Sequence, residues 1–344
     1  MAQGKRTSIK DIAHSVGVST TLVSIVLNGK AEQYRISKDV AQKVIDVAQS
    51  LDYTPNVAAR NLRVGKSQLI GLVITDISNP FYAAIARIIE NRANELGYSV
   101  ISSSSDDDPI SANKSINLLL NKGVDGLIII PCDGSREIIK KLHERNTPVV
   151  LVDRNFPDIN VSFSCLNHYK ATQIATQHLI DQGFENIGLI GYKTNMDHIL
   201  DRIKGYEETM INAGLKKNIH VEKVNLADAQ IEVQHTLEVL IENEKVDSII
   251  FLTNMLTVIG LYHLKAMHVR IPEDVAIIGF NKNDVFNLFS STITHIEQPL
   301  ELIAKQSVNI LVDKIQHGEQ EIRSMILSEP QLIIGESSMQ QKKR

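Results

Sequence analysis

The chain lacks the residues and patterns that mark disulfide-rich, membrane-spanning or metal-dependent proteins. Of its 344 residues only two are cysteine and none is tryptophan. Cys132 and Cys165 lie in or beside apolar stretches without CxxC spacing, so we expect reduced packing residues. The apolar runs, such as 127–130 and 249–252, are strand-sized, far short of the roughly 20 residues that cross a bilayer.

Motifs for nucleotide binding and catalysis are missing as well. No GxGxxG follows the first predicted strand, no GxxxxGK[ST] occurs, and the 11 histidines show neither HExxH nor paired spacing. The first residues contain no apolar stretch typical of a signal peptide, which favours a cytoplasmic protein. We therefore expect no catalytic residue, no metal, no cofactor and no contact with a membrane.

Charge is distributed unevenly along the chain. Residues 1–66 contain ten Lys and Arg against five Asp and Glu, while the whole chain has a net charge of −4, which leaves −9 for the other 278 residues. A short basic segment on an acidic body is typical of a nucleic-acid-binding module. The length fits a small domain followed by a larger, two-part domain.

Residues 8–28, SIKDIAHSVGVSTTLVSIVLN, predict two short helices around a tight turn. Ser8 and Asp11 favour the start of the first helix, Gly17 ends it, and Ser19 caps the second. One arc of the second helix is apolar, and the other, with Thr20, Thr21, Ser24, Ile25 and Asn28, is small and mostly hydroxylated. Such a face suits a DNA major groove, although paired helices around a glycine also occur in other all-α proteins.

Two segments follow this predicted helix-turn-helix. Residues 29–36 form a polar loop in which Lys30 and Arg35 either contact phosphates or are merely solvated. Ser37 caps a third helix to about residue 50, and Val40, Val44, Val47 and Leu51 give it an apolar stripe.

Residues 54–66 predict a helix of about two turns, too short to be stable in water by itself. If two copies met on DNA, Leu62 would be an exposed minor-groove wedge and Arg60 and Arg63 its phosphate anchors. As a plain linker, the same residues would only tether two domains.

From residue 67 onwards, predicted strands and helices alternate in two series. This pattern predicts an α/β fold with two parallel sheets, each covered by helices on both faces. Predicted strands are 70–74, 100–102, 126–130, 149–152, 160–163, 187–190, 221–224, 248–252 and 275–278. Predicted helices are 80–96, 110–122, 136–145, 169–182, 202–213, 231–242 and 256–267.

Polar residues recur where these strands end, and ligands of such sheets bind outside the carboxyl ends of the strands. Any one of them could be a loop cap, but their recurrence predicts a cleft for a small polar ligand. The candidates are Asp76, Asp153, Arg154, Asn254 and Asn281, with Arg202 expected to begin the helix after the loop 192–201.

Five segments in this order, the helix-turn-helix, YTPNVAARNLR, IGLVITDISNPFY, VDGLIII and VAIIGFN, resemble the lactose/galactose-repressor (LacI/GalR) family of bacterial transcription regulators. The resemblance covers about residues 7–335. It implies a helix-turn-helix headpiece, a hinge helix, and a periplasmic-binding-protein-like core of two doubly wound parallel-sheet subdomains. The implied bounds are 1–54 for the headpiece, 55–67 for the hinge, 68–165 with 296–328, and 166–295 with 329–344 for the subdomains.

The resemblance also implies a role for each candidate residue. Thr20, Thr21 and Ile25 match base-reading positions, and Leu62 matches the leucine that enters the minor groove. Because Ile25 stands where many members have a polar or basic residue, we expect it to contact a thymine methyl. Ser19, Ser24, Asn28, Lys30, Arg35, Arg60 and Arg63 are the candidates for the DNA backbone. Asp153, Arg202, Asn254 and Asn281 match effector-contacting positions, and Asp76 and Arg154 join them as candidates for the effector site.

Met255 and Asn281 replace acids that are common in the family. These replacements make the pocket less negative, and the hypothesis that follows is an anionic sugar effector, attracted by Arg202 with Arg154 or Lys193. We expect a homodimer that binds double-stranded DNA at a near-palindromic operator and is controlled by a sugar, sugar acid or sugar phosphate. Repression is the commoner mode in the family, so we expect a repressor. The alternatives are a transport-type sugar-binding protein, which would leave the basic N-terminal segment unexplained, and an α/β enzyme, which would need a nucleophile or acid–base pair at the cleft.

Overall fold

A computed structural model describes residues 7–53, 66–318 and 325–340. The chain divides into two compact units, residues 1–67 and 68–344. None of the helices within the described ranges combines the length and apolar character needed to cross a membrane.

The first unit contains the three predicted helices, Ile9–Val16 (α1), Thr20–Leu27 (α2) and Lys38–Ser50 (α3). Their ends follow the cap residues in the sequence. The Asp11 carboxylate accepts hydrogen bonds from the backbone N–H and the hydroxyl of Ser8 at 2.8 and 2.7 Å. Gly17 adopts the left-handed conformation with φ of 77°, and Ser19 accepts a hydrogen bond from the N–H of Leu22 at 3.2 Å.

The core of this unit lies between the apolar stripes of the three helices. Its buried members are Ile12, Ala13, Val23, Val26, Val44 and Ala48. The prediction that Leu51 belongs to this core was wrong, because Leu51 lies beyond the last turn of α3 and is 37% exposed. Ala48 takes its place, and Tyr53 packs against the same core.

The second unit contains two sheets that the sequence pattern predicts, each with six described strands. The first sheet has the order β11-β5-β4-β3-β1-β2 and the second β12-β10-β9-β8-β6-β7. The strands are Leu69–Ile74 (β1), Ser99–Ser104 (β2), Gly126–Ile129 (β3), Val149–Val152 (β4), Ser162–Leu166 (β5), Ile187–Tyr192 (β6), Ile219–Val224 (β7), Ser248–Phe251 (β8), Ala276–Phe280 (β9), Thr294–Glu297 (β10), Met325–Ser328 (β11) and Gln331–Ile333 (β12).

All pairings are parallel except that between β12 and β10, which is antiparallel. In both sheets the strand order reverses beside the first strand of its series, between β1 and β3 and between β6 and β8. Parallel sheets of this kind bind their ligands at that point, outside the carboxyl ends of the strands.

Helices cover both faces of each sheet. On β1, Ile70, Leu72 and Ile74 contribute to one core cluster and Val73 to the cluster on the other face. The helices are Pro80–Glu95 (α4), Pro109–Asn121 (α5), Arg136–Glu144 (α6), His168–Asp181 (α7), Asp197–Asn212 (α8), Ala229–Glu238 (α9), Asn254–Ala266 (α10) and Leu300–His317 (α11).

We call the first sheet with α4, α5, α6 and α11 the first lobe, and the second sheet with α7 to α10 the second lobe. The chain passes between the lobes after β5, after β10 and between β11 and β12.

Two predicted helix bounds were wrong. Helix α8 begins at Asp197, so Arg202 lies in its second turn and does not begin the helix. The preceding residue, Met196, makes no side-chain cap bond, so the sequence offers no cap residue at this start. The predicted helix 231–242 is an α-helix only to Glu238, followed by a π-helical turn Val239–Asn243.

Helices α7 and α8 pack very closely at Gly205. A Cβ atom at this position would lie 2.2 Å from the carbonyl oxygen of Tyr169 and 2.5 Å from Oγ1 of Thr172. The hydroxyl of Thr172 donates a hydrogen bond to the carbonyl of Arg202 at 2.5 Å. Only glycine fits here, and the close approach brings Arg202 of α8 next to the first turn of α7.

We expect Gly205→Ala to destabilise the second unit. In an open helix this change would stabilise by about 1 kcal/mol, but overpacking against a backbone carbonyl costs about 1–3 kcal/mol, so a net loss should remain. Thermal unfolding of the full chain should show a lower Tm for Gly205→Ala, while Lys204→Ala on the exposed side of the same turn should change Tm little. An unchanged or higher Tm for Gly205→Ala would contradict the close packing.

Candidate functional site

The polar arc of α2 lies on the surface, opposite Val23 and Val26. Ser19, Thr20, Thr21 and Asn28 are exposed, and Ser24 and Ile25 are partly exposed. Asn28 donates one N–H of Nδ2 to the carbonyl of Ser24 at 2.6 Å, which fixes the amide and leaves its second N–H to reach an incoming acceptor. The arc offers hydroxyl groups and one branched apolar side chain to an incoming surface.

The loop after α2 folds back on the core. Ile36 donates a backbone hydrogen bond to Ala31 at 2.9 Å, and both side chains pack against the three-helix core. Lys30 and Arg35 are exposed on this loop. The other three predicted DNA contacts, Arg60, Leu62 and Arg63, lie outside the described residues.

The basic excess of the N-terminal segment does not come from the helices themselves. Residues 7–53 contain five Lys and Arg and five Asp and Glu. The excess of +5 over residues 1–66 is contributed by residues on both sides of the three helices: Lys5, Arg6, Arg60, Arg63 and Lys66.

In the second unit, all six strand-end candidates line one cleft of about 540 Å³. Asp76, Asp153 and Arg154 come from the first lobe, and Arg202, Asn254 and Asn281 from the second. The volume is within the range of about 300–1,000 Å³ that is usual for small-molecule sites.

On the first lobe, the guanidinium of Arg154 is held by three groups. It lies 2.7 Å from Oδ1 of Asp107, donates to the hydroxyl of Tyr82 at 2.9 Å, and donates to the carbonyl of Pro131 at 3.3 Å. Burial lowers its pKa, but Tyr82, Asp107 and Asp153 raise the pKa by more, so Arg154 stays charged. Burial raises the pKa of Asp153, against the opposing effect of Arg154 and Arg202.

On the second lobe, Arg202 is 3% exposed and stacks on Phe280, with its guanidinium carbon 3.7 Å from the ring centroid. Its Nη1 donates to the carbonyl of Leu252, and its Nη2 and Nε lie 3.0 and 3.3 Å from Nδ1 of His168. Burial lowers the pKa of Arg202 to about 10, which still leaves it charged at neutral pH.

The side chain of Asn254 connects the start of α10 to the loop after β9. Nδ2 of Asn254 donates to the carbonyl of Asn281 at 3.3 Å, and Nδ2 of Asn283 donates to Oδ1 of Asn254 at 3.1 Å. Asn281 has a φ of 58°, a left-handed conformation that asparagine adopts more readily than most residues. These bonds fix the amide of Asn254 at the edge of the cleft.

The sequence analysis missed several lining residues, among them Tyr82, Tyr192, His198 and Gln298. Tyr192 is the last residue of β6 and Gln298 directly follows β10, so the same strand-end rule could have found both. His198 and Gln298 are buried, and neither Nδ1 of His198 nor Oε1 of Gln298 has a hydrogen-bond partner among the described residues. Buried polar atoms usually have partners, so these two atoms favour a polar ligand in the cleft.

The charges of the lining do not support the hypothesis of an anionic effector. Four carboxylates, those of Asp76, Asp106, Asp107 and Asp153, face two guanidinium groups that already have intramolecular partners. Lys193, the third cation of that hypothesis, is not among the residues that line the cleft. An anion would meet more negative than positive charge here.

A loop of the second lobe is anchored in the first lobe. One carboxylate oxygen of Asp133 accepts hydrogen bonds from the hydroxyl of Thr194 at 3.0 Å and from the N–H of Asn195 at 3.1 Å. The next residue, Met196, is 3% exposed and belongs to the apolar cluster of the first sheet. Tyr192 and His198, on either side of this loop, line the cleft.

Both units match families of known proteins. Residues 8–56 match bacterial regulatory proteins of the lacI family, and residues 67–334 match the periplasmic binding proteins and sugar binding domain of the LacI family. The HTH-type transcriptional regulator RegA of Clostridium saccharobutylicum is 30% identical over 337 residues, which is 97% of this chain and 99% of RegA. The HTH-type transcriptional repressor PurR of Haemophilus influenzae (strain PittEE) is 29% identical over 337 residues, 96% of this chain and 98% of PurR.

A solved structure of the lac repressor dimer, bound to operator and the anti-inducer ONPF, has the same fold. Its TM-score is 0.85 at 21% identity, with 98% of this chain and 100% of that chain covered. The predicted fold, a helix-turn-helix followed by two α/β subdomains, is thereby confirmed. The chain belongs to the LacI family of bacterial regulatory proteins, and it is a DNA-binding transcriptional regulator.

Proposed function

We propose that the chain regulates carbohydrate-use genes as a homodimer whose operator affinity is set by a small sugar bound between the lobes. The cleft supports this most directly, because polar groups from both lobes converge there and two buried polar atoms have no described partner. In this proposal the ligand is bound and released without being chemically changed. A coupling of about 1–3 kcal/mol, roughly 5- to 150-fold in operator affinity, would be enough for a switch.

The lobes that move in this proposal lie close to the bounds that the resemblance implies, 68–165 with 296–328 and 166–295 with 329–344. Strand β5 extends the first lobe to Leu166, and β10 extends the second lobe to Glu297. A ligand that contacts Asp76, Asp153 and Arg154 on one side and Arg202, Asn254 and Asn281 on the other would favour one relative orientation of the lobes. Residues 55–67 would transmit that orientation to the headpieces, with Leu62 as the minor-groove wedge.

On DNA, the polar arc of α2 would lie in the major groove. Thr20, Thr21 and Ile25 would meet base edges, while Ser19, Ser24, Asn28, Lys30 and Arg35 would lie near phosphates. Because charges cancel within residues 7–53, Lys5, Arg6, Arg60, Arg63 and Lys66 would supply most of the attraction to the DNA backbone.

The contact of Ile25 with a thymine methyl can be tested on an operator selected from random duplexes. Replacing that thymine by uracil removes one methyl group and should weaken binding of the unaltered chain by about 0.8 kcal/mol, roughly 4-fold. The Ile25→Ala variant should bind the thymine and uracil duplexes equally, whereas Ile45→Ala, on the surface of α3, should keep the discrimination. Fluorescence anisotropy would measure both affinities. If the Ile25→Ala variant still prefers the thymine duplex over the uracil duplex as strongly as the unaltered chain does, at every thymine tested, Ile25 does not contact a thymine methyl.

We propose a neutral, hydroxyl-rich ligand for the cleft. The four carboxylates that line the cleft are hydrogen-bond acceptors, and so is Oε1 of Gln298, which has no partner among the described residues. Sugar hydroxyls can donate to these oxygens without adding charge. The aromatic and aliphatic side chains of Phe81, Tyr82, Tyr192 and Ile259 provide apolar surfaces beside them.

We expect neutral monosaccharides or disaccharides to raise the Tm of the full chain, and calorimetry to show one site per chain. Matched uronates and sugar phosphates should bind at least 10-fold more weakly, since the lining carries more negative than positive charge. If only the anionic compounds bind, the charges of the lining do not exclude anions, and the result supports an anionic effector.

Apolar side chains on α9 and α10 offer a surface for a second copy of the chain. The two helices are joined by a hydrogen bond between His263 and the carbonyl of Gln230 at 2.8 Å. Next to these residues, Ile231 is 74% and Tyr262 55% exposed. Met255, on the same face of α10 as Tyr262, also lines the cleft, so a dimer contact here would lie next to the ligand.

Replacing Ile231 by Lys should therefore convert the dimer to a monomer at micromolar concentration, because two lysines would be buried across the two-fold axis. Analytical ultracentrifugation should give twice the chain mass for the unaltered protein and for Ile211→Lys, an exposed position on α8. A dimeric Ile231→Lys variant would exclude this face as the interface.

A further inference from the structure

His168 lies where the two lobes meet. It is the first residue of α7 and is 4% exposed. One ring nitrogen, Nε2, lies 3.0 Å from the carbonyl oxygen of Asp153, which follows β4 of the first lobe. The other, Nδ1, lies 3.0 Å from Nη2 of Arg202 in the second lobe. A single imidazole therefore bonds to both lobes.

The two partners determine the protonation state of this ring. A carbonyl oxygen can only accept a hydrogen bond, so Nε2 must carry the proton. A guanidinium can only donate, so Nδ1 must present its lone pair. A second proton would point an N–H at Arg202. Burial, with Arg202 and Arg154 nearby, lowers the pKa of His168 well below its usual value, and the other groups facing it are His198 on α8 and the backbone of Asp153.

The hydrogen bonds of Arg202 show what His168 contributes to the cleft. Of the five N–H groups of the guanidinium, one on Nη1 donates to Leu252, and Nε with one on Nη2 donates to His168. Stacking on Phe280 fixes the plane of the group. Among the residues that the structure describes, one N–H on each terminal nitrogen has no acceptor, and Arg202 lines the cleft, so these two N–H groups can reach a ligand.

The bond to Asp153 is equally specific. Asp153 has a φ of 66°, a left-handed conformation that is unfavourable for most residues with a side chain. In this conformation its carbonyl meets His168, and the next residue, Arg154, places its guanidinium in the lining of the cleft. His168 thus contacts the backbone immediately before one cleft arginine and the side chain of the other.

We propose that His168 is a positioning residue for the effector site: Nδ1 orients the Arg202 guanidinium toward the ligand, and Nε2 ties that guanidinium to the first lobe at Asp153. The inference rests on the proposed function of the cleft as a ligand site. It assigns the two nitrogens separate roles, affinity to Nδ1 and communication between the lobes to Nε2.

Two substitutions separate these roles. The side-chain oxygen of asparagine can occupy the place of Nδ1, so His168→Asn keeps an acceptor for Arg202 but loses the bond to Asp153. The longer glutamine can reach the place of Nε2, so His168→Gln keeps the donor to Asp153 but loses the acceptor. His178→Gln is the control, since this histidine of the same helix contacts Ser338.

We expect calorimetry with the neutral sugar that binds the unaltered chain most tightly to show roughly 10- to 100-fold weaker binding for His168→Gln, the scale of one charge-assisted hydrogen bond. His168→Asn should stay within about 3-fold in affinity, yet the sugar should change its operator affinity at least 3-fold less than in the unaltered chain. Equal losses of affinity in both variants, in proportion to their loss of Tm, would show a packing role only and overturn the proposal.

NMR of the full chain tests the geometry without any ligand. The ¹⁵N shifts of His168 should show a protonated Nε2 and a bare Nδ1, unchanged between pH 8 and pH 5.5, and the Nε–H of Arg202 should exchange at least 10-fold faster in His168→Gln than in His168→Asn. The opposite tautomer, a ring that titrates near pH 6.5, or equal exchange would overturn the proposal. If these NMR results hold but no sugar binds, the sugar-effector function fails and the positioning of Arg202 stands.

Discussion

The close approach of α7 and α8 at Gly205 is the constraint on which the cleft depends. With no side chain at this position, the carbonyl of Tyr169 and the hydroxyl of Thr172 reach the backbone of α8. This contact brings Arg202, three residues earlier, to His168 at the start of α7. A larger residue would separate the helices and with them the guanidinium and the imidazole. The position of the Arg202 guanidinium in the cleft therefore depends on how closely α7 and α8 pack within the second lobe.

The two arginines of the cleft can be buried because their guanidinium groups make several polar and aromatic contacts. Isolated ions are costly to bury, and both arginines are enclosed by oxygen, aromatic or imidazole groups that offset this cost. Arg154 is bound to Asp107 and Tyr82, and Arg202 to His168 and a backbone carbonyl. Because these partners hold the guanidinium groups in place, the ligand proposed above would meet a preorganised cleft.

Much of the fold and part of the site could be predicted from the sequence, for identifiable reasons. Buried parallel strands are continuous apolar runs and their carboxyl ends are polar, so Asp76 could be assigned to the carboxyl edge of the first sheet, and Asn254 and Asn281 to that of the second. The start of α8 could not, since Met196 is no cap residue and is instead buried in the other lobe. His168 and His198 were missed because their roles depend on burial and on partners far along the chain, which no local pattern shows.

The anchoring of Met196 limits how the lobes can rearrange. A motion that separated them at this edge would take an apolar side chain into water and strip the Asp133 carboxylate of two donors. A motion that pivoted about the loop would keep both contacts and still change the spacing of Tyr192 and His198 from the opposite wall. In the proposed switch, the rearrangement that keeps these contacts is a rotation with this loop as its pivot, and such a rotation would turn small displacements in the cleft into larger ones at the far end of each lobe.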